Sequence, residues 1–142
     1  MSPQTSGYLR IVRASAWYDL IVTAGFATPW TYVLVHHVLS SLGAFPPVDT
    51  IQTLYANLMG SVVVVWALLR LIRPLPLHGL YDGMARVLFA TWQTYALAQG
   101  ATKLLVLFLV VEVSFGVVQL LPWLADGVRA RARTRPAQPP AR

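Results

Sequence analysis

The sequence of 142 residues contains no cysteine and little charge, since Lys, Arg, Asp and Glu together make up 11% of it. Without cysteine the chain forms no disulfide and offers no thiolate as nucleophile or metal ligand. Soluble domains carry charge at about a quarter of their positions. The composition therefore excludes most soluble enzymes, and its apolar character excludes the disordered classes.

Apolar residues are abundant instead, at 56% of the chain, and the mean hydropathy is +0.58. A soluble domain of ~150 residues buries only about 70% of the surface that its unfolded chain exposes. This chain has more apolar surface than such a fold can cover, which indicates an integral membrane protein. We expect the all-α class, because open sheet edges are not viable in lipid.

Four apolar stretches have about the ~20 residues that cross a hydrocarbon core. They cover residues 15–39, 53–72, 81–98 and 103–121. We expect them to form a four-helix membrane bundle within a domain of residues 1–127, with the first helix kinked at Pro29. Residues 128–142 are rich in arginine and then in proline, and they are predicted to be a disordered cytoplasmic tail.

The net charge is +6, and most of the cations lie next to the apolar stretches. Lys103 follows the third apolar stretch and Arg86 lies within it, whereas the other nine cations belong to one side of the predicted bundle. Those nine are Arg10, Arg13, Arg70, Arg73, Arg129, Arg131, Arg133, Arg135 and Arg142. Basic residues that flank apolar spans stay cytoplasmic. The pattern predicts a multi-pass protein of the plasma (inner) membrane with both termini cytoplasmic, and it argues against a nucleic-acid partner.

Polar and small residues recur every three or four positions along each apolar stretch, so they fall on one face of each predicted helix. A charged side chain at mid-bilayer costs ~2.5–3.5 kcal/mol on insertion scales. We therefore expect the four polar faces to meet inside the bundle. The candidate ligand- or ion-binding residues on these faces are Asp19, Trp30, His37, Asn57, Arg86, Gln93 and Glu112.

Asp19 and Arg86 lie at similar depth on helices that run in the same direction, about one turn from the cytoplasmic boundary. This placement predicts an ion pair, which would offset part of the cost of burying each charge. Two alternatives remain open. In the first, Asp82, four residues before Arg86, pairs with Arg86 in place of Asp19. In the second, Asp19 and Arg86 do not pair, and each side chain reaches the headgroups separately.

Glu112 is nine residues from each end of the fourth stretch, near the predicted midplane, and Gln93 lies at comparable depth on the third. One interpretation is a neutral acid that is hydrogen-bonded to Gln93 or Ser61. A second is a carboxylate that binds a proton, a cation or another ligand. A third is contact with a partner subunit.

Histidine and tryptophan provide weaker signals on the first stretch. His36 and His37 are adjacent, so they point about 100° apart and do not naturally share a metal. His37 lies on the polar face and is a candidate for interfacial hydrogen bonding. Trp30 lies on the same face as Asp19, which makes it the best aromatic candidate for lining a cavity, with helix packing as the alternative.

The sequence shows no phosphate-binding glycine loop, no Ser-His-Asp pattern and no pair of carboxylates on one helix that would indicate catalysis. We expect no metal site, no cofactor and no catalytic residue, although enzymatic activity stays open. The leading hypothesis is a small membrane protein that binds or translocates a small solute or a proton through a polar site around Glu112. A single four-helix bundle has little room for a pore, so this hypothesis implies a homo-oligomer or another membrane subunit.

Two alternatives come from other functional classes. The chain could be an accessory or assembly subunit of a larger membrane complex, in which the polar faces only hold the helices together. It could also be a small membrane-embedded enzyme that acts on a lipid-like substrate, with Glu112 as acid and base.

Overall fold

The computed structural model describes residues 6–43 and 45–133, and within these ranges the chain is all-helical, with five helices and no strand. This confirms the predicted all-α class. The helices are α1 (Ser6–Thr23), α2 (Pro29–Leu42), α3 (Thr50–Ile72), α4 (Pro76–Ala98) and α5 (Leu105–Arg133), and a short 3₁₀ turn (Ala24–Phe26) lies between α1 and α2.

The first predicted helix is broken rather than kinked. Pro29 occupies the first position of α2, where its missing N–H removes no hydrogen bond. Thr28 caps the new helix, since its Oγ1 accepts a hydrogen bond of 3.3 Å from the backbone N–H of Thr31. The sequence around Pro29 therefore starts a second helix, and the prediction of one continuous helix over residues 15–39 is wrong.

The break between α1 and α2 is supported by α3. The carbonyl of Phe26 accepts a hydrogen bond of 2.8 Å from Nδ2 of Asn57, and the carbonyl of Ala27 accepts a longer one of 3.4 Å from Oγ of Ser61. Gly60 lies between Asn57 and Ser61 and lets the backbone of α3 approach the break closely. A Cβ on Gly60 would lie 2.5 Å from the carbonyl carbon of Phe26. The polar and small face of α3 thus supplies the hydrogen bonds that an interrupted helix lacks.

The ends of the other helices follow common capping rules. Asp49 caps α3 by accepting a hydrogen bond of 2.8 Å from the backbone N–H of Gln52, and α4 begins with Pro76. The tight connection from α4 to α5 contains Gly100 with φ of +90°, a conformation that favours glycine. Helix α5 passes Pro122 and ends at Arg133 instead of at the predicted position 121. Residues 128–133 of the predicted tail are therefore helical, and residues 134–142 lie outside the described residues.

The helices pack as two groups. Helix α3 packs along α1 and touches the 3₁₀ turn and α2, whereas α4 packs along α5. Helix α1 touches both α4 and α5 and so joins the groups. A close approach of α4 to α5 occurs at Gly83, where a Cβ would lie 2.7 Å from a side-chain atom of Leu120.

Burial is inverted relative to a water-soluble protein. Buried apolar residues among those described are Tyr8, Val12, Ala16 and Ala67, whereas the buried polar residues are Ser15, Asp19, Arg70, Asp82, Arg86, Glu112 and Gln119. Large apolar side chains are exposed along every helix, with Ile72 at 82% and Trp30 at 81%. By length and composition, α3 and the Leu105–Ala130 part of α5 are able to cross a membrane.

Candidate functional site

Five buried charged residues from four helices form one connected cluster, which we call the charge network. Its members are Asp19 of α1, Arg70 of α3, Asp82 and Arg86 of α4, and Glu112 of α5. Each is at most 9% exposed. The cluster lies where the two helix groups meet.

Arg86 contacts all three acids of the network. Its Nη2 lies 2.8 Å from Oδ1 of Asp19, its Nη1 lies 2.7 Å from Oε2 of Glu112, and its Nε lies 3.2 Å from Oδ2 of Asp82. The predicted Asp19–Arg86 pair is therefore present, together with the Asp82–Arg86 pair that was its rival. The guanidinium also stacks on the ring of Phe115, with 4.9 Å from Cζ to the ring centroid.

Arg70 is the second cation of the network, although the sequence-based charge count assigned it to the cations that flank the spans on the cytoplasmic side. The residue lies within α3 and is fully buried. Its Nη1 lies 2.7 Å from Oδ2 of Asp82, and its Nη2 donates to Oδ2 of Asp19. The sequence contained a signal for this inward position. Ala67 follows Gly60 by seven residues and Arg70 follows Ala67 by three, so all three residues fall on the inner face of α3.

Three neutral side chains complete the network around Asp82. Its Oδ2 accepts hydrogen bonds from Nε2 of Gln119 at 2.7 Å and from Oγ of Ser15 at 3.0 Å, and its Oδ1 accepts one from Nε1 of Trp66 at 3.2 Å. None of the three was selected from the sequence. Ser15 precedes Asp19 by four residues and Gln119 follows Glu112 by seven. This spacing puts each of them on the same helix face as a candidate acid, and it could have indicated both residues.

The network contains three carboxylates and two guanidiniums, so its formal charge is −1 when all five groups are ionised. An uncompensated charge inside a low-dielectric interior is costly. The arrangement can therefore accept one further positive charge, either a proton on a carboxylate or a cationic group beside it.

Glu112 has a cation partner, Arg86, so the first of the three interpretations, an acid hydrogen-bonded to Gln93 or Ser61, does not describe its contacts. Its Oε2 contacts Arg86, but its Oε1 makes no hydrogen bond to any side chain or backbone group in the ranges 6–43 and 45–130. Gln93 lies two turns along α4 from Arg86 and does not reach the network. Its buried Oε1 likewise finds no hydrogen-bond partner among the described residues.

Glu112 and Arg86 also line an open groove of about 630 Å³ between α4 and α5. The other walls are apolar for most of their length and include Val87, Ala90, Leu109, Val113, Val117 and Leu120. Two threonines contribute little polarity, because Thr91 donates its hydroxyl to the carbonyl of Val87 and Thr94 to that of Ala90. Glu112 and Arg86 are thus the charged residues of an otherwise apolar groove.

Besides Gln93, three more of the sequence-based candidates lie away from the charge network. Trp30 and His37 are exposed on α2, and Asn57 supports the break after α1 through the Phe26 carbonyl. The common face expected for Asp19, Trp30 and His37 required one continuous helix. The break separates the last two residues from Asp19, so the structure does not bring them to the site.

Comparisons of the chain with protein-family models, with curated proteins and with solved structures found no match. A function must therefore be inferred from the chemistry of the charge network and the groove. Asp19, Arg86 and Glu112 are the candidates that the structure brings together there, and Gln93 lies on the same helix as Arg86 farther toward the α4–α5 connection.

Proposed function

We propose that this chain is a multi-pass membrane protein that binds a small solute or a proton at Glu112. In this proposal the α1–α2 segment, α3, α4 and α5 each cross the bilayer. The exposed apolar side chains on these helices support it, because they would face lipid instead of water. Only 17% of the most apolar window of α3, and the same share in α5, is buried, unlike the core helix of a soluble protein.

The positions of the cations support an orientation in the plasma (inner) membrane with both termini in the cytoplasm. Arg70 no longer counts toward this pattern, because it is buried. Arg10, Arg13 and Arg73 remain on the proposed cytoplasmic side, together with the arginines from position 129 onward. Lys103 is the cation of the opposite side.

The observation that carries the proposal is the difference between Glu112 and the other two acids. Both carboxylate oxygens of Asp19 and both of Asp82 have partners, as expected of carboxylates that hold a structure together. Glu112 is 7% exposed and lines the groove, and one of its oxygens has no hydrogen bond to any part of the chain that the structure describes. A ligand in the groove would supply the missing hydrogen bond or charge.

Translocation, as opposed to binding, would involve more than one chain. The groove is open and its lining residues belong to α4 and α5, so a second copy or another membrane subunit packed against it would enclose it. We propose a homo-oligomer as the translocating form, since one chain of this size has little room for a pore.

A membrane-permeant carbodiimide tests the site directly, because it reacts with protonated carboxyl groups in apolar surroundings. The protein is reconstituted in phosphatidylcholine vesicles, treated with dicyclohexylcarbodiimide and mapped by peptide mass spectrometry. We expect modification of Glu112 and much less of Asp19 and Asp82, whose oxygens are all engaged. An unmodified Glu112, or equal modification of Asp82, would contradict a groove-accessible site.

Flux measurements test translocation separately. Proton or cation flux in the same vesicles should be lost in Glu112→Gln while the variant stays folded and monodisperse. Asp49→Asn is the matched control, because Asp49 is an exposed capping residue far along the chain from the network and asparagine can also cap a helix. Unchanged flux in Glu112→Gln, or a wild type that moves nothing, would contradict translocation.

A further inference from the structure

The charge distribution around the groove distinguishes between ligands of opposite sign. Each of the three guanidinium nitrogens of Arg86 already contacts a carboxylate. Oε1 of Glu112 has no hydrogen-bond partner in the described part of the chain. With the network at a formal charge of −1, an anion in the groove would be repelled and a cation attracted.

The walls of the groove indicate the chemical character of the part of the ligand that does not carry the charge. They are apolar apart from Arg86, Glu112 and two threonines whose hydroxyls are used within α4. A volume of about 630 Å³ is within the range of small-molecule sites in proteins. A strongly hydrated metal ion or a polar metabolite would find few partners on these walls, whereas an apolar body would fit them.

We propose that the α4–α5 groove binds an amphiphilic monocation, a molecule with one positive charge beside Oε1 of Glu112 and an apolar body against α4 and α5. This rests on the proposed function of Glu112 as a binding carboxylate. Either the bound cation or a proton on Glu112 neutralises the formal charge of −1 on the network, so the cation and the proton compete. Binding of the cation therefore weakens as the pH falls, and it releases a proton from any Glu112 that was protonated.

The test compares two ions of nearly the same shape and opposite charge, tetraphenylphosphonium and tetraphenylborate. Binding of each to the full chain is measured by equilibrium dialysis in nanodiscs of zwitterionic phosphatidylcholine, with empty nanodiscs as the blank. We expect saturable binding of tetraphenylphosphonium at one site per chain and at least tenfold weaker binding of tetraphenylborate. The cation should also protect Glu112 from dicyclohexylcarbodiimide.

Two pairs of variants locate the site. Glu112→Gln removes the excess charge and leaves two acids against two arginines, so it should fold, and we expect at least tenfold weaker cation binding. Asp49→Asn should bind as the wild type does. Ala90→Leu fills the groove without touching a charge and should also weaken binding tenfold or more, whereas Ala98→Leu, at the end of α4 outside the groove, should not.

The outcomes separate this inference from the proposed function. If carbodiimide modifies Glu112 but the cation neither binds nor protects, or if tetraphenylborate binds equally well, the ligand class is wrong and the Glu112 site stands. If Glu112 is not modified and the cation binds equally to wild type and Glu112→Gln, both are wrong. Cation-selective binding that depends on both Glu112 and Ala90 supports both.

Discussion

Nη1 of Arg70 and Oδ2 of Asp82 lie 2.7 Å apart and connect α3 to α4 in the middle of the charge network. Asp19 and Arg86 make the reciprocal connection between α1 and α4 at 2.8 Å. Each helix group thus contributes a cation and an acid to the other. Because the buried apolar residues are few, these crossed ion pairs, with Trp66 and Gln119 around them, fix how the two groups meet.

Replacement of Arg70 should show how much the fold depends on this connection. Arg70→Met leaves Asp19 and Asp82 without one of their two cations, and loss of one partner from a buried ion pair costs about 3–5 kcal/mol. We expect a decrease of this size in the free energy of unfolding, measured by denaturant titration in detergent. Arg73→Met is the control, since Arg73 is exposed at the end of α3. Equal stability of both variants would contradict a structural role for Arg70.

Asp82 and Glu112 should respond differently to the same loss of charge. Both Asp82→Asn and Glu112→Gln bring the network to two acids and two cations. Asp82→Asn disturbs contacts with both arginines and with three neutral side chains, so we expect a loss of about 3–5 kcal/mol in unfolding free energy. Glu112→Gln disturbs one contact and removes the uncompensated charge, so its cost should be below about 1.5 kcal/mol.

Denaturant titration of both variants beside the wild type provides the comparison. If Glu112→Gln is as destabilised as Asp82→Asn, Glu112 is a structural residue of the same kind as Asp82. If Glu112→Gln is close to wild type in stability and loses binding, the acid is retained for a ligand.

The helix break after α1 predicts a specific role for Asn57. Asn57→Leu introduces an apolar side chain of similar size and removes the donor to the part-buried carbonyl of Phe26, and we expect a loss of about 1 kcal/mol, the lower end of the cost of an unsatisfied acceptor. The matched change on the next turn, Ser61→Ala, should cost less, because its hydrogen bond to Ala27 is 3.4 Å long. Thermal unfolding of the two variants checks this order, and the reverse order would contradict the assignment.

Gly60 should tolerate no side chain at the same break. The Cβ of Gly60→Ala would lie 2.5 Å from the carbonyl carbon of Phe26 and 2.7 Å from the backbone nitrogen of Ala27, and backbone atoms cannot move aside as a flexible side chain does. We expect a loss of about 1–3 kcal/mol in unfolding free energy. Gly127→Ala is the control, because its Cβ would meet nothing within 4 Å and alanine favours a helix. Two equally stable variants would show that α3 does not approach the break so closely.

Helical spacing and charge scarcity predicted the helical class, the candidate role of Glu112 and the Asp19–Arg86 pair. The spacing of polar residues could not show that Thr28 and Pro29 start a new helix, because a proline within an apolar stretch is equally consistent with a kink. A continuous helix would also place Trp30 and His37 on the same face as Asp19, and the break removes that alignment. Arg70 was misplaced for another reason, since an arginine near the end of an apolar stretch has the same spacing signal whether it turns inward or toward the headgroups.

The proposed orientation can be tested with single cysteines, because the chain has none of its own. Ala101→Cys lies in the α4–α5 connection near Lys103, and Gly127→Cys lies on an exposed part of α5 near Arg129. In the proposed orientation, which rests on the distribution of cations, the first would lie outside the cell and the second in the cytoplasm. We therefore expect a membrane-impermeant maleimide to label Ala101→Cys in intact cells and to label Gly127→Cys only after the membrane is permeabilised. Labelling of Gly127→Cys in intact cells would reverse the orientation, and labelling of both would contradict an odd number of crossings between these two positions.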